Sequence, residues 1–278
     1  MKLGLVALLS FVAAIAAPGA QADGSPYVPG LVQGASGVLD ASGALRFVTL
    51  ASSRSTVVAA IGVRSGRVVR SNVLRGFYGV PIVAWDGSTG GVSGDGRSLV
   101  LASYGPPPGQ PGVTSFVILN AQTLRKAHTF RLLGSWAYDA VSPDGSTIYL
   151  VEYLSAGQSP HYRVRSLDTE PGRLDPDPIV DRREDEVLMR GQPVTRRLST
   201  DGRWAYTLYA RGGQAPFLHA LDTVKREAYC VDLPLSQLGQ IEQMALRLGG
   251  GRAGELRIQN GKTVLAVVDT KTLEARRT

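Results

Sequence analysis

The feature that most constrains this chain is a recurring turn. Residues 140–153 read as a short apolar run, the tetrapeptide Ser142-Pro143-Asp144-Gly145, and a second β-rich run containing Ile148, Tyr149, Leu150 and Val151. Pro143 pre-sets φ for the second position of a type I turn and Asp144 tolerates the third. Gly145 takes the left-handed conformation that lets two antiparallel strands leave in register. The same punctuation recurs as Asp40-Ala41-Ser42-Gly43, Ser93-Gly94-Asp95-Gly96 and Ser199-Thr200-Asp201-Gly202, with a degraded copy at Gly249-Gly250-Gly251. Glycines 43, 96, 145, 202 and 251 therefore return every 49 to 57 residues, a period that belongs to propellers and other repeat architectures.

A second landmark keeps phase with the first. A strand ending in a hydrophobe and a turn appears at Leu119-Asn120, Leu167-Asp168-Thr169, Leu221-Asp222-Thr223 and Val268-Asp269-Thr270, with a looser first copy at Gly62-Val63-Arg64-Ser65-Gly66. Anchored on Arg64 in that first copy, it follows the turn glycine by 18 to 24 residues in all five units. Between the landmarks fall the loops Gly109-Gln110-Pro111, Gly157-Gln158-Ser159-Pro160 and Gly213-Gln214-Ala215-Pro216. Each unit then reads as four antiparallel strands, the blade of a β-propeller. The expected fold is all-β, a propeller of about five blades, or six if the N-terminal segment completes one. Its units lie near 27–76, 77–134, 135–191, 192–238 and 239–278. Residues 27–33 are expected to pair beside the last blade, because an open ring leaves two sheet edges bare. Residues 77–91 carry an extra Asp86-Gly87 pair and read either as a long entry into a strand or as an inserted hairpin.

The Ser-Pro-Asp-Gly turn followed by Ile148-Tyr149-Leu150, with Leu167-Asp168-Thr169 some twenty residues on, resembles the YVTN/lactonase-like β-propeller superfamily. The resemblance covers residues 38–278. It implies the fold and leaves the activity open, since one fold hosts many functions. The chain departs from the seven blades of that superfamily by fitting about five. Trp85-Asp86-Gly87 only superficially resembles part of the WD40-like signature.

The first residues carry an address. Lys2, an apolar run from Leu3 to Ala17, the break at Pro18-Gly19 and the small-x-small site Ala20-Gln21-Ala22 make a signal peptide of residues 1–22, cleaved after Ala22. The mature chain is expected to be secreted, periplasmic or held at the cell surface, as a monomer with no transmembrane segment. Net charge is +7, yet its arginines are dispersed and not interleaved with aromatics, so no nucleic-acid partner is expected. Cys230 is the only cysteine, which forbids an intramolecular disulfide and reads as a buried, inert thiol in a strand.

No residue pattern forms a catalytic constellation. His128, His161 and His219 share no metal-ligand spacing and read as ordinary surface or hydrogen-bonded histidines. The acidic stretch from Asp175 to Glu186 lacks a calcium-loop pattern and neutralises itself with Arg182 and Arg183. No metal and no cofactor are expected. Binding is expected at the mouth of the central channel, where loops between blades and between second and third strands converge. The candidates there are Trp136, Tyr138, Asp139, Gln192, Glu242 and Tyr104. Trp136 and Tyr138 serve either as stacking faces for a ligand or as wedges between adjacent blades. The favoured function is non-enzymatic binding of a protein or cell-envelope ligand; the alternative is a lactonase-like hydrolase using carboxylates such as Asp139 and Glu242.

Overall fold

The computed structural model describes residues 36–278, apart from 53, 156–160, 185–187, 212–213, 236–240 and 250–253. The expected signal peptide, the closing strand at 27–33, the loop Gly157-Gln158-Ser159-Pro160 and the turn glycine Gly251 lie outside the described residues, in whole or in part. Blade 1 comprises β1 (Val38–Leu39), β2 (Leu45–Ala51), β3 (Ser55–Gly62) and β4 (Val68–Arg75). Blade 2 contains β5 (Ser98–Ala102), β6 (Val113–Asn120) and β7 (Lys126–Leu133), and blade 3 β8 (Ser135–Val141), β9 (Thr147–Tyr153), β10 (Tyr162–Asp168) and β11 (Arg173–Ile179). Blade 4 follows as β12 (Gln192–Leu198), β13 (Trp204–Ala210), β14 (Phe217–Asp222) and β15 (Glu227–Asp232). Blade 5 is β16 (Met244–Leu248), β17 (Glu255–Asn260), β18 (Thr263–Asp269) and the short β19 (Ala275–Arg277).

Every sheet runs in sequence order with antiparallel neighbours, the meander expected of a propeller blade. Four sheets have four strands and blade 2 has three. The inner position of blade 2 is reduced to a bridge between Val92 and Leu99. The chain is a five-bladed β-propeller.

Its core lies between the sheets. Phe47 and Val58 of blade 1 pack on Leu99 and Leu119 of blade 2, and Phe116 and Ile118 of blade 2 pack on Trp136 and Leu150 of blade 3. Tyr149 and Tyr162 face Leu221 and Tyr209 across the seam of blades 3 and 4, and Leu218 faces Leu256 between blades 4 and 5. Burying each such large side chain contributes about 1.5–3 kcal/mol.

The two sequence landmarks keep phase because they touch. In blades 2, 3 and 4 a serine hydroxyl donates to the turn aspartate at 2.6 Å, Ser93 to Asp95, Ser142 to Asp144 and Ser199 to Asp201. The serine bond, more than the surrounding backbone N–H groups, holds Asp144 and Asp201 below the usual carboxylate range. The threonine of the second landmark then reaches back to the first turn of its own blade: the Thr169 hydroxyl donates to the Gly145 carbonyl at 3.1 Å and Thr223 to that of Arg203 at 2.6 Å. In blade 5 the corresponding acceptor of Thr270 is the Gly254 carbonyl, three residues beyond the expected Gly251.

The second turn also contains a strained position. Four residues after its anchor the backbone is left-handed in every blade, at Gly66, Leu124, Gly172, Arg226 and Leu273. In blade 1 that spacing places the anchor at Gly62 and not at Arg64, which corrects the looser first copy by two residues; the Gly66 N–H donates to the Gly62 carbonyl at 2.8 Å.

Candidate functional site

What decides the character of the channel is the stretch at 77–91, which is a hairpin. Ile82 bridges Thr89, the Val83 N–H donates to Ser88 at 2.8 Å and the Gly87 N–H closes the tip on Ala84 at 3.1 Å. The tip crosses the ring: the N–H groups of Trp85 and Asp86 donate to the carbonyls of Pro193 and Val194 in blade 4, each at 3.0 Å. Those carbonyls are available because β12 is bulged between Pro193 and Thr195. On the way the Thr89 hydroxyl donates to the Gly37 carbonyl beside blade 1 at 2.9 Å, and the Gly91 N–H donates to the Tyr138 hydroxyl of blade 3 at 3.1 Å. A spoke from blade 2 thus ties blades 1, 3 and 4 together across the channel.

The expected site residues take their places around this spoke. Trp136 and Tyr138, at 6% and 4% exposure, are wedges between blades 2 and 3 and present no ring face to solvent. The Trp136 indole N–H donates to the Leu133 carbonyl at 2.8 Å, and Tyr138 lies so close to Gly90 that a Cβ there would sit 2.7 Å from its ring. Burial pushes the Tyr138 hydroxyl well above its ordinary range, so it serves as an uncharged acceptor. Asp139, at the bulge of β8, is buried and ion-paired with Arg196 of blade 4. Gln192 opens β12 opposite Ala210. Glu242 falls in the turn Ile241–Gln243, with only its backbone described. Tyr104 stands out from the surface, at 56% exposure, with its ring centroid 5.4 Å from that of Phe77. Asp139 is brought to the channel wall near Tyr138, while Tyr104 lies apart from them in the loop after β5. On the other side of the spoke the channel keeps a cavity of about 450 Å³ lined by the inner strands of blades 1 to 4.

Sequence reasoning missed a second constellation, buried between blades 3 and 4. Strand register sets Arg196 opposite Thr207, Thr207 opposite His219, and His219 opposite Cys230, so one polar row crosses the whole of blade 4. Apolar rows flank it, Tyr209 and Phe217 on one side and Ala205, Leu221 and Ala228 on the other. At the inner end Arg196 binds the Asp139 carboxylate and main-chain carbonyl and donates to the Thr207 hydroxyl at 2.8 Å. At the outer end Asp181 accepts the Cys230 N–H at 2.7 Å and grips Arg183 through both carboxylate oxygens. Although burial opposes it, the hydrogen bonds from Arg183 and Cys230 hold Asp181 below the usual carboxylate range.

Chemically the row is quiet. Burial pushes the Cys230 thiol up to about 12 and pushes His219 down to about 4, so the pair stands as thiol and neutral imidazole, the opposite of an activated nucleophile with its base. Cys230 is only half-buried and lines a cleft, which corrects the buried thiol read from the sequence. The ordinary, hydrogen-bonded histidine expected at 219 is corrected: His219 is 1% exposed and neither ring nitrogen has a hydrogen-bond partner among the described residues. Among the described residues no group of three or more His, Cys, Asp or Glu is arranged to hold a metal ion, and no helix is long and apolar enough to cross a membrane.

No protein-family profile matches this chain, and no curated protein matches it in sequence. Among solved structures it is similar to an oligogalacturonate lyase in complex with manganese, at TM-score 0.49 and 11% identity over 87% of this chain and 63% of that one. It is also similar to the β-propeller domain of Myceliophteria thermophila Cps50 (Swd1), at 0.46 and 12%, covering 83% and 62%. A third is TolB from Acinetobacter baumannii, at 0.43 and 12%, covering 89% and 53%. The chain thus spans between about half and two thirds of the length of these proteins. Its own five sheets carry the assignment of the fold.

Proposed function

We propose that this chain is an exported propeller of the YVTN/lactonase-like kind that binds a protein or cell-envelope ligand on its loop-rich face without catalysing a reaction. The observation behind this reading is the spoke at 81–90. A hairpin bonded to blade 4 across the channel takes up space that a small substrate would need, and it leaves Asp86 exposed at its tip, as Tyr104 is in the loop after β5. Of the two carboxylates named for the hydrolase alternative, Asp139 and Glu242, the first is committed to Arg196. Export rests on the signal-peptide pattern of residues 1–22.

The test pairs binding with turnover. Purified mature protein is immobilised and exposed to envelope extract from its source, beside a variant carrying Asp86→Arg and Tyr104→Ala, two exposed positions. The expected result is a retained ligand that the variant loses at unchanged melting temperature, with no hydrolysis of a panel of lactones and esters. Equal retention by the variant, or turnover of any lactone at an enzymatic rate, overturns the reading. Amino-terminal sequencing of the exported protein should begin at Asp23.

A further inference from the structure

The outer end of the polar row opens into a cleft of about 320 Å³ between residues 179–184 and 188–191 on one side and blade 4 on the other. We propose that this cleft is a small-molecule site, distinct from the loop-rich face, for a ligand with an apolar or aromatic body and one neutral hydroxyl or amide head that hydrogen-bonds His219. Three observations meet there. Ile179, Leu188, Met189 and Phe217 give the cleft an apolar side, beside the charged Asp181, Glu184, Arg190, Arg211 and Asp232, and the volume lies at the small end of ordinary ligand pockets. The floor holds His219, almost wholly buried, with both ring nitrogens lacking a partner among the described residues. A buried polar group left unpaired is costly and uncommon, so one that faces a cleft calls for a partner from the cleft.

The charges around the cleft select a neutral head. Asp181 is saturated by Arg183 and by the Cys230 N–H. Arg211 is paired with Asp232 at 2.5 Å and lies 4.6 Å over the Phe217 ring. Glu184 sits at the exposed rim. Arg190, exposed at the rim, is itself already engaged, so among the described residues the cations lining the cleft are partnered, and desolvation keeps the imidazole uncharged. One of its nitrogens donates and the other accepts, which suits a hydroxyl or an amide and offers nothing to toluene-like molecules beyond burial.

The probe is p-cresol, with toluene and benzoate as comparisons, titrated into the full mature protein. Readouts are the imidazole resonances of its three histidines by NMR and the heat of binding. The expected result is saturable binding of p-cresol that shifts the His219 resonances alone, at least about tenfold tighter than toluene, with benzoate weaker still; one good hydrogen bond corresponds to about that ratio. His219→Phe should abolish the preference for p-cresol over toluene. Leu188→Glu, at the mouth where Leu188 is 36% exposed, should weaken binding of both without disturbing the fold, which keeps the test decisive if the His219 variant does not fold. Unshifted His219 resonances, equal affinity for toluene and p-cresol, or binding unaffected by Leu188→Glu each overturn the proposal.

Discussion

Replacing Asp139 by alanine is the sharpest probe of how blades 3 and 4 are held. The side chains of Arg196 and Asp139 are 5% and 3% exposed, so the pair is cut off from solvent. Without the carboxylate, the guanidinium keeps only the Asp139 main-chain carbonyl and the Thr207 hydroxyl, and an almost fully desolvated charge stands uncompensated. Breaking a buried pair on one side costs about 3–5 kcal/mol. For a chain of this size each kcal/mol moves the melting temperature by roughly 2–4 °C, so a fall on the order of 10 °C is expected by calorimetry or urea denaturation. Removing both charges with similar volume, as Asp139→Leu with Arg196→Met, should recover at least half of the loss, because neither partner is then stranded. A single variant that loses under about 1 kcal/mol, or a double variant whose loss equals the sum of the two single ones, would refute the claim that the pair is dry and mutually dependent.

Acid should weaken the same seam through His219. The folded imidazole titrates near 4 against an ordinary 6.5, so the unfolded chain takes up the proton first. The stabilisation is complete above about pH 6.5 and drains away as pH falls toward 4, by about 3 kcal/mol in all. Urea denaturation at pH 7 and pH 4.5 should show it, and His219→Phe should flatten the difference. Gly145→Val should destabilise blade 3 by about 1 kcal/mol or more, since the backbone there is left-handed and a Cβ would meet the Ser98 hydroxyl at 2.6 Å; unchanged thermal stability would contradict the turn. Cys230, with its thiol pushed up by burial, should react with a disulfide reagent at least about tenfold more slowly in the native protein than in urea, and equal rates would mean that the outer end of the row is open to thiolate chemistry.

The blades were legible because each rests on local chemistry. A Ser-x-Asp-Gly turn closes on its own residues, and the Asp-Thr turn hydrogen-bonds back to it, so both signals survive in a bare sequence. The first blade is harder to align because Gly62 stands where the other blades carry Asn120, Asp168, Asp222 or Asp269. The hairpin at 81–90 was visible as an extra Asp-Gly pair, but nothing local says that its tip finds blade 4. That ignorance is what left Trp136 and Tyr138 undecided between ligand contact and wedge. The row from Arg196 to Cys230 was invisible for a related reason: it exists only once three hairpins fix the register of four strands, and a one-residue slip would turn any member to the other face.

The spoke also bears on how such a ring could change its size. Repeat proteins usually gain or lose units by duplication, because each unit meets only its neighbours. Here the tip of a hairpin from blade 2 is bonded to a bulge in blade 4. A duplicated blade would widen the ring and carry Pro193 and Val194 out of reach of Trp85 and Asp86. The chain has exchanged the open-ended growth of a repeat for a bond between blades two places apart, and its descendants should vary in loops far more readily than in the number of blades between them.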